Sequence, residues 1–217
     1  MSFNRDKFIA EGFGQRYAWL DLLNSEQRDG FGRVTEHLQD SSWIQVFLSH
    51  WNLGARLGGG GSIEGLKRLR AFFCRTAEIV ASGKSLPKTD LHWINKGLHV
   101  PLHRRVWTRK DRSYCVELVP VHRDWGWQRA ELLRSLAELL VDDRHSRLKI
   151  CPNPGCRWVF FDGSHGNTRK WCSDLTCGNR DKVRRLRARQ RQQKDSSIKG
   201  KSFSRRSPLN GHPKVHD

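Results

Sequence analysis

Four cysteines constrain the last third of this 217-residue chain more than any other feature. Cys151, Cys156, Cys172 and Cys177 are spaced Cys-x4-Cys, fifteen residues, Cys-x4-Cys. Two pairs at matched spacing supply four thiolates to one tetrahedral Zn²⁺. A segment of about 40 residues buries too little surface to fold by itself, so metal binding must supply much of its stability. Four thiolates leave no position open for water, which makes this a structural zinc site rather than a catalytic one. Two other readings stay open at this point. The cysteines form disulfides if the compartment is oxidising, and His165 replaces one thiolate if three cysteines and a histidine hold the metal.

The residues behind the last cysteine are strongly basic. Arg180, Lys182, Arg184, Arg185, Arg187, Arg189 and Arg191 stand against a single acid, Asp181. Arg180, Arg184, Arg187 and Arg191 fall at i, i+4, i+7 and i+11, one stripe of a helix. Val183 and Leu186 are expected to face the small aromatic core formed by Trp158, Phe160, Phe161 and Trp171. The net charge of +18 is unevenly spread: residues 151–217 hold 16 Lys and Arg against 5 Asp and Glu. A metal-held knuckle leading into a basic helix points to a polyanion, foremost DNA. Arg169 and Lys170, on an expected strand over 169–171, are expected to add backbone contacts. A partner strand is expected over 158–162.

Upstream, the pattern is that of a separate, mainly helical domain. Trp43, Ile44, Phe47, Leu48 and Trp51 give one apolar helical face, which the glycines at 58–61 end. Ser62 caps a second helix that runs to Gly83, with Lys67, Arg68, Arg70 and Arg75 on its solvated face. A short helix over 87–96 points Leu91, Trp93 and Ile94 inward. Residues 104–108 and 114–121 form a β-hairpin around a polar turn. The Leu-rich helix over 125–141 is expected to be a central element. Cys74 and Cys115 read as small buried hydrophobes. Asp21 and Asn24 either line a pocket or cap a helix or turn. The fold class is therefore α+β: residues 1–145 a mainly helical domain with a hairpin or small sheet, 146–194 a four-cysteine zinc finger with its basic helix, and 195–217 a disordered basic tail.

The motifs Asn153-Pro154-Gly155-Cys156-Arg157-Trp158, Arg169-Lys170-Trp171-Cys172 and Cys177-Gly178-Asn179-Arg180 together resemble the CGNR zinc finger. The match covers about 148–191. In that family the finger follows an N-terminal domain called ABATE, and the stretch 16–25, with Leu20-Asp21-Leu22 at its centre, is similar to that domain's opening. The resemblance implies a bacterial, stress-induced transcription regulator whose N-terminal domain senses an unidentified small ligand.

These readings converge on a zinc-dependent DNA-binding regulator. RNA binding or a protein-interaction role for the zinc module is the alternative, with Trp158 and Phe160 as stacking surfaces if exposed. An enzyme is not expected: there is no nucleophile–base pairing, no His-Glu-x-x-His and no phosphate-binding loop. No run approaches the roughly 18 apolar residues of a membrane span, and the N-terminus lacks a signal-peptide core, so a cytoplasmic location is expected. One basic helix reads few base pairs, which favours a homodimer. Native mass spectrometry of the purified chain should find a single zinc ion per chain, released by chelator at low pH; a metal-free mass with two disulfides would overturn the four-thiolate assignment.

Overall fold

The computed structural model describes residues 16–203. By contacts the chain forms two compact units, 1–172 and 173–217. Among the described residues of the first unit the earliest element is helix α1 (Ala18–Leu23), all six of whose residues are buried. Strands β1 (Glu26–Arg28) and β2 (Val34–Glu36) pair antiparallel, and a single 3-10 turn (His37–Gln39) leads into α2 (Ser41–His50). Asp40 caps α2 through the amides of Ser42 and Trp43. Next come α3 (Ile63–Ala81), α4 (Lys88–Leu98), β3 (Leu102–Thr108), β4 (Tyr114–Pro120) and α5 (Trp125–Val141). Strands β5 (Leu148–Ile150) and β6 (Val159–Phe161) close the unit as a third two-stranded antiparallel sheet. The second unit holds a π turn (Asp174–Gly178) and helix α6 (Asn179–Phe203). Small antiparallel sheets among helices make the fold α+β, as the sequence pattern implies.

The long helices form where apolar periodicity and caps agree. Ser62 Oγ accepts the Gly65 amide at 3.0 Å, starting α3. Its buried face carries Leu66, Leu69, Phe72, Phe73, Ala77 and Val80. Asp124 caps α5 in the same way through Trp127 N–H. Gly97 lets α4 lie against α5, because a Cβ there would stand 2.3 Å from Leu133 Cδ1. One continuous core joins α1, α2, α3 and α5 to Leu148 and Val159 of the β5–β6 pair. The first zinc knuckle is thus built onto the helical domain and shares its core.

Several expectations are corrected. Arg70 is buried, not solvated: its guanidinium donates to both Glu36 carboxylate oxygens at 2.7 and 2.6 Å and to Ser25 Oγ at 2.9 Å. Leu91 and Trp93 are 43% and 40% exposed, because the inward face of α4 is Ile94 and Gly97. Trp93 lies over Phe72 with ring centroids 4.2 Å apart. Cys74 is exposed and Cys115 half-buried. Residues 169–171 form no strand; β6 pairs instead with β5, just ahead of the first cysteine. Beyond Lys194, where disorder is expected, the backbone of α6 continues to Phe203; no proline interrupts it before Pro208, and residues 204–217 lie outside the described residues.

Two buried polar side chains lock loops onto the core. Gln128 donates to the carbonyls of Leu53 and Arg56 and accepts the Gly58 amide, which fastens the glycine-rich loop. Asn24, at the end of α1, donates to Val159 O at 2.8 Å and accepts from Val159 N–H at 3.0 Å. It thereby completes the outer edge of β6 as a strand would. Asn24→Ala leaves both Val159 groups buried and unpaired, a cost of about 2–4 kcal/mol. Urea denaturation followed by tryptophan fluorescence should show the midpoint falling with little change in slope.

Candidate metal centre and basic helix

The knuckle takes its shape from short-range hydrogen bonds. Cys151 N–H donates to Trp158 O, and Cys156 N–H to Asn153 O at 2.9 Å. Asn153 Oδ1 accepts the Gly155 amide at 3.1 Å. Arg157 then adopts φ +56°, reversing the chain into β6. Gly155 sits against the β1–β2 turn, where its carbonyl accepts Gly30 N–H at 3.1 Å. A Cβ at Gly155 would stand 2.7 Å from Gly30 O, so glycine is required for that approach.

The sulfur atoms of Cys151, Cys156, Cys172 and Cys177 all lie within 4.8 Å of one another. Cys156 Sγ and Cys172 Sγ are 3.6 Å apart, close to the roughly 3.8 Å separation expected across a tetrahedral site with 2.3 Å Zn–S bonds. The donor set fits zinc, and these four residues form a structural zinc site. Backbone amides of Asn153 and Cys172 point at Cys151 Sγ, and that of Trp158 at Cys156 Sγ. Hydrogen bonds from the Cys156 and Cys172 thiols, followed by these amides, favour a thiolate at Cys151. The same contact with Cys151 pushes Cys156 up to about 12, and Cys172 is raised by Cys151 and then Cys156. Such crowding of like charges is relieved by a bound dication. His165 is exposed and lies outside the sulfur cluster.

Asp162 organises the loop between the two cysteine pairs. Its side chain is fully buried and accepts from Lys149 Nζ at 2.6 Å, from Ser164 N and Oγ, and from Arg169 N–H at 2.9 Å. Lys149 Nζ also donates to the carbonyls of Asn167 and Arg169. Arg147 binds the carbonyls of Ser164 and His165. Sequence reasoning missed Arg147, Lys149 and Asp162; the three residues Leu148-Lys149-Ile150 before Cys151 are too short a run to signal the strand that carries Lys149.

Arg169 is committed internally. Its guanidinium stacks over Phe160 at 4.6 Å and donates to the carbonyls of Trp171 and Cys172. Lys170 is exposed, with its ammonium 5.3 Å from the Trp171 ring centre. Phe160 and Trp171 are buried, as expected of a small core.

In the second unit, Ser173 caps the π turn through Thr176 N–H, and Asn179 Nδ2 donates to Leu175 O. Asp181 takes Arg184 at 2.7 Å and Arg185 at 2.6 Å. Burial pulls its carboxyl up, but the two guanidiniums outweigh that and hold it below the usual range. Arg180 is half-buried, whereas every residue from 182 to 194 is exposed. Val183 and Leu186, expected to be buried, are 46% and 55% exposed. Lys182, Arg187, Arg189 and Arg191 therefore project from a helix bare on all sides.

Comparison with known families follows this geometry. A family model for ABATE, described as a putative stress-induced transcription regulator, matches residues 17–143, and one for the CGNR zinc finger matches 147–190. No curated protein matches the chain.

Burial raises the Asp162 carboxyl, yet the bonds from Lys149 and Ser164 outweigh it and hold the group well below the carboxylate range. Its contribution is complete above the unfolded value near 4 and is lost as pH falls below that. Asp162→Asn should cost about 2 kcal/mol at pH 7 and less at pH 3. Denaturation midpoints across this range for both proteins check it; zinc release acts on both, so the difference between the curves isolates Asp162.

Proposed function

The chain belongs to the ABATE family and carries a CGNR zinc finger behind its ABATE region; from that premise we propose a non-enzymatic transcription regulator whose α6 helix binds duplex DNA. The observation that carries the proposal is the exposed run 182–194. It holds Lys182, Arg184, Arg185, Arg187, Arg189, Arg191 and Lys194, with no acid among them. A helix polar on every side gains nothing from packing, and its like charges repel along i, i+4. Phosphates supply the missing counter-charge. Lys182, Arg187, Arg189 and Arg191 contact phosphates, and any base readout comes from guanidiniums paired to guanine edges in the major groove. Arg184 and Arg185 also steady the first turn through Asp181, and Lys170 adds a peripheral phosphate contact. Arg180 and Arg169 act as supports, because Arg169 is spent on the knuckle carbonyls. Burial of Phe160 disfavours the base-stacking alternative.

The ABATE region is proposed to sense a small ligand. A cleft of about 280 Å³ beside α3 supports this reading, with Arg70, Cys74, Glu78, Cys156, Arg157 and Trp158 among its walls. A ligand there touches the residue next to a zinc-binding cysteine and the cysteine itself, which gives a physical route from sensing to the finger.

Fluorescence anisotropy with duplex DNA over a salt series tests the DNA role. Each phosphate contact removed should flatten the log–log salt slope by about 0.9. Arg187→Ala with Arg191→Ala should lower affinity about tenfold or more near 150 mM salt while zinc content stays unchanged. Equal affinity and slope in wild type and double variant would sink the assignment.

A further inference from the structure

Strands β3 and β4 form a hairpin that the rest of the fold barely uses. All seven residues of β3 are exposed, and Val119 is the single buried residue of β4. The register Leu102↔Pro120, Arg104↔Leu118, Val106↔Val116 and Thr108↔Tyr114 places these eight side chains on one face. Leu102, Val106, Tyr114, Val116 and Leu118 are 48%, 65%, 79%, 65% and 59% exposed. Charge is concentrated elsewhere: the opposite face carries Arg105 paired with Glu117 at 3.0 Å, and the tip carries Arg109, Lys110 and Arg112.

An isolated two-stranded hairpin is marginal in water. An apolar face of this size is also at or beyond what a monomer ordinarily shows. With Pro120, these five residues expose on the order of 600 Å² in all, so a pair of such faces buries at most roughly 1,200 Å², the size at which stable interfaces begin. The sheet has only two strands, so both outer edges are open as well.

We propose that this face is the surface through which two copies of the chain associate. The argument for a second copy is the self-complementarity of the strip. A two-fold pair brings the same patch of both copies together, and the antiparallel arrangement of the hairpins is the one that separates their basic tips. The tip half of one, with Val106, Tyr114 and Val116, then covers the base half of the other, with Leu102, Leu118 and Pro120. That arrangement keeps the two basic tips at opposite ends of the interface. Arg104 is the lone charge on the strip, and its stem can lie along the apolar surface with its head at the rim. A nucleic acid would seek the tip and leave this face uncovered. Pairing two copies sets two α6 helices on one assembly, but the interface itself does not rest on DNA binding.

Salt separates the two activities. Two chains of net charge +18 repel, so added salt strengthens this apolar association while it weakens any phosphate contact. Light scattering behind size exclusion, on the full zinc-loaded chain in about 0.5 M NaCl, should give twice 25.2 kDa. Val116→Lys should return the monomer mass, and Val116→Thr, which keeps a strand-favouring side chain, should weaken the dimer about tenfold or more. Both variants should keep the wild-type circular dichroism and zinc content. Val141→Lys, at an 82% exposed position on α5, should leave the dimer intact.

Three results would overturn the proposal: a wild-type monomer at about 100 µM, where an interface of this size should be populated; a dimer indifferent to both Val116 variants; or a dimer that forms only with DNA. Hairpin amides protected from exchange in a monomer, and exposed on deletion of residues 1–15, would assign the face to the chain's own N-terminal segment instead.

Discussion

Helix α1 has no face toward solvent. All six of its residues are buried, Asp21 included, and an all-buried helix must be satisfied from every direction. Asp21 accepts the Trp51 indole N–H at 3.0 Å. Trp19 meets Phe73 edge to face. Tyr17, just ahead of the helix, donates to Asp142 and packs its ring on Phe161. Asn24, just behind it, completes β6. The helices and the zinc knuckle are arranged around this short segment, and Tyr17, Asp21 and Asn24 fix which chain segments can approach it.

The finger carries two opposed electrostatic problems. Four sulfur atoms crowd together, and a metal resolves that. Seven cations stand on an exposed stretch of helix, with no acid among residues 182–194. Among the described residues the second is answered in the first turn, where Asp181 takes two guanidiniums. Between the cysteine pairs a different device operates: Asp162, buried, collects a lysine, a hydroxyl and two amides, so the loop is fixed by one charged centre and not by a strand ladder.

Legibility in the sequence follows the range of the deciding interaction. α2, α3 and α5 are legible because apolar spacing and a capping side chain are local facts; Ser62 and Gly65 are three residues apart. The four cysteines are legible because zinc dictates their number and spacing. Arg70 is not, since its partner Glu36 lies 34 residues earlier. Its spacing from Leu66 and Phe73 does set it on the buried face, unlike Arg68 and Arg75, but no local pattern names the carboxylate that makes its burial tolerable. Strand β5 escapes notice because three residues are too few to display alternation, and without it β6 is assigned the wrong partner. Asp21 and Asn24, open between pocket and cap, bond across 30 and 135 residues, and Asn24 both ends α1 and lines the cleft beside α3. The hairpin is legible as an element, but its exposed face is a property of what fails to pack on it, which no local pattern records.

The docking of Gly155 on Gly30, together with Asn24 on Val159, has a thermodynamic corollary. The knuckle and the helical core share boundaries that neither can keep alone, so their free energies are not separable. A molecule whose binding to the core is strengthened by zinc must, by reciprocity, strengthen zinc binding by the same factor. Zinc affinity and the stability of the helical core are therefore two readings of one linked equilibrium.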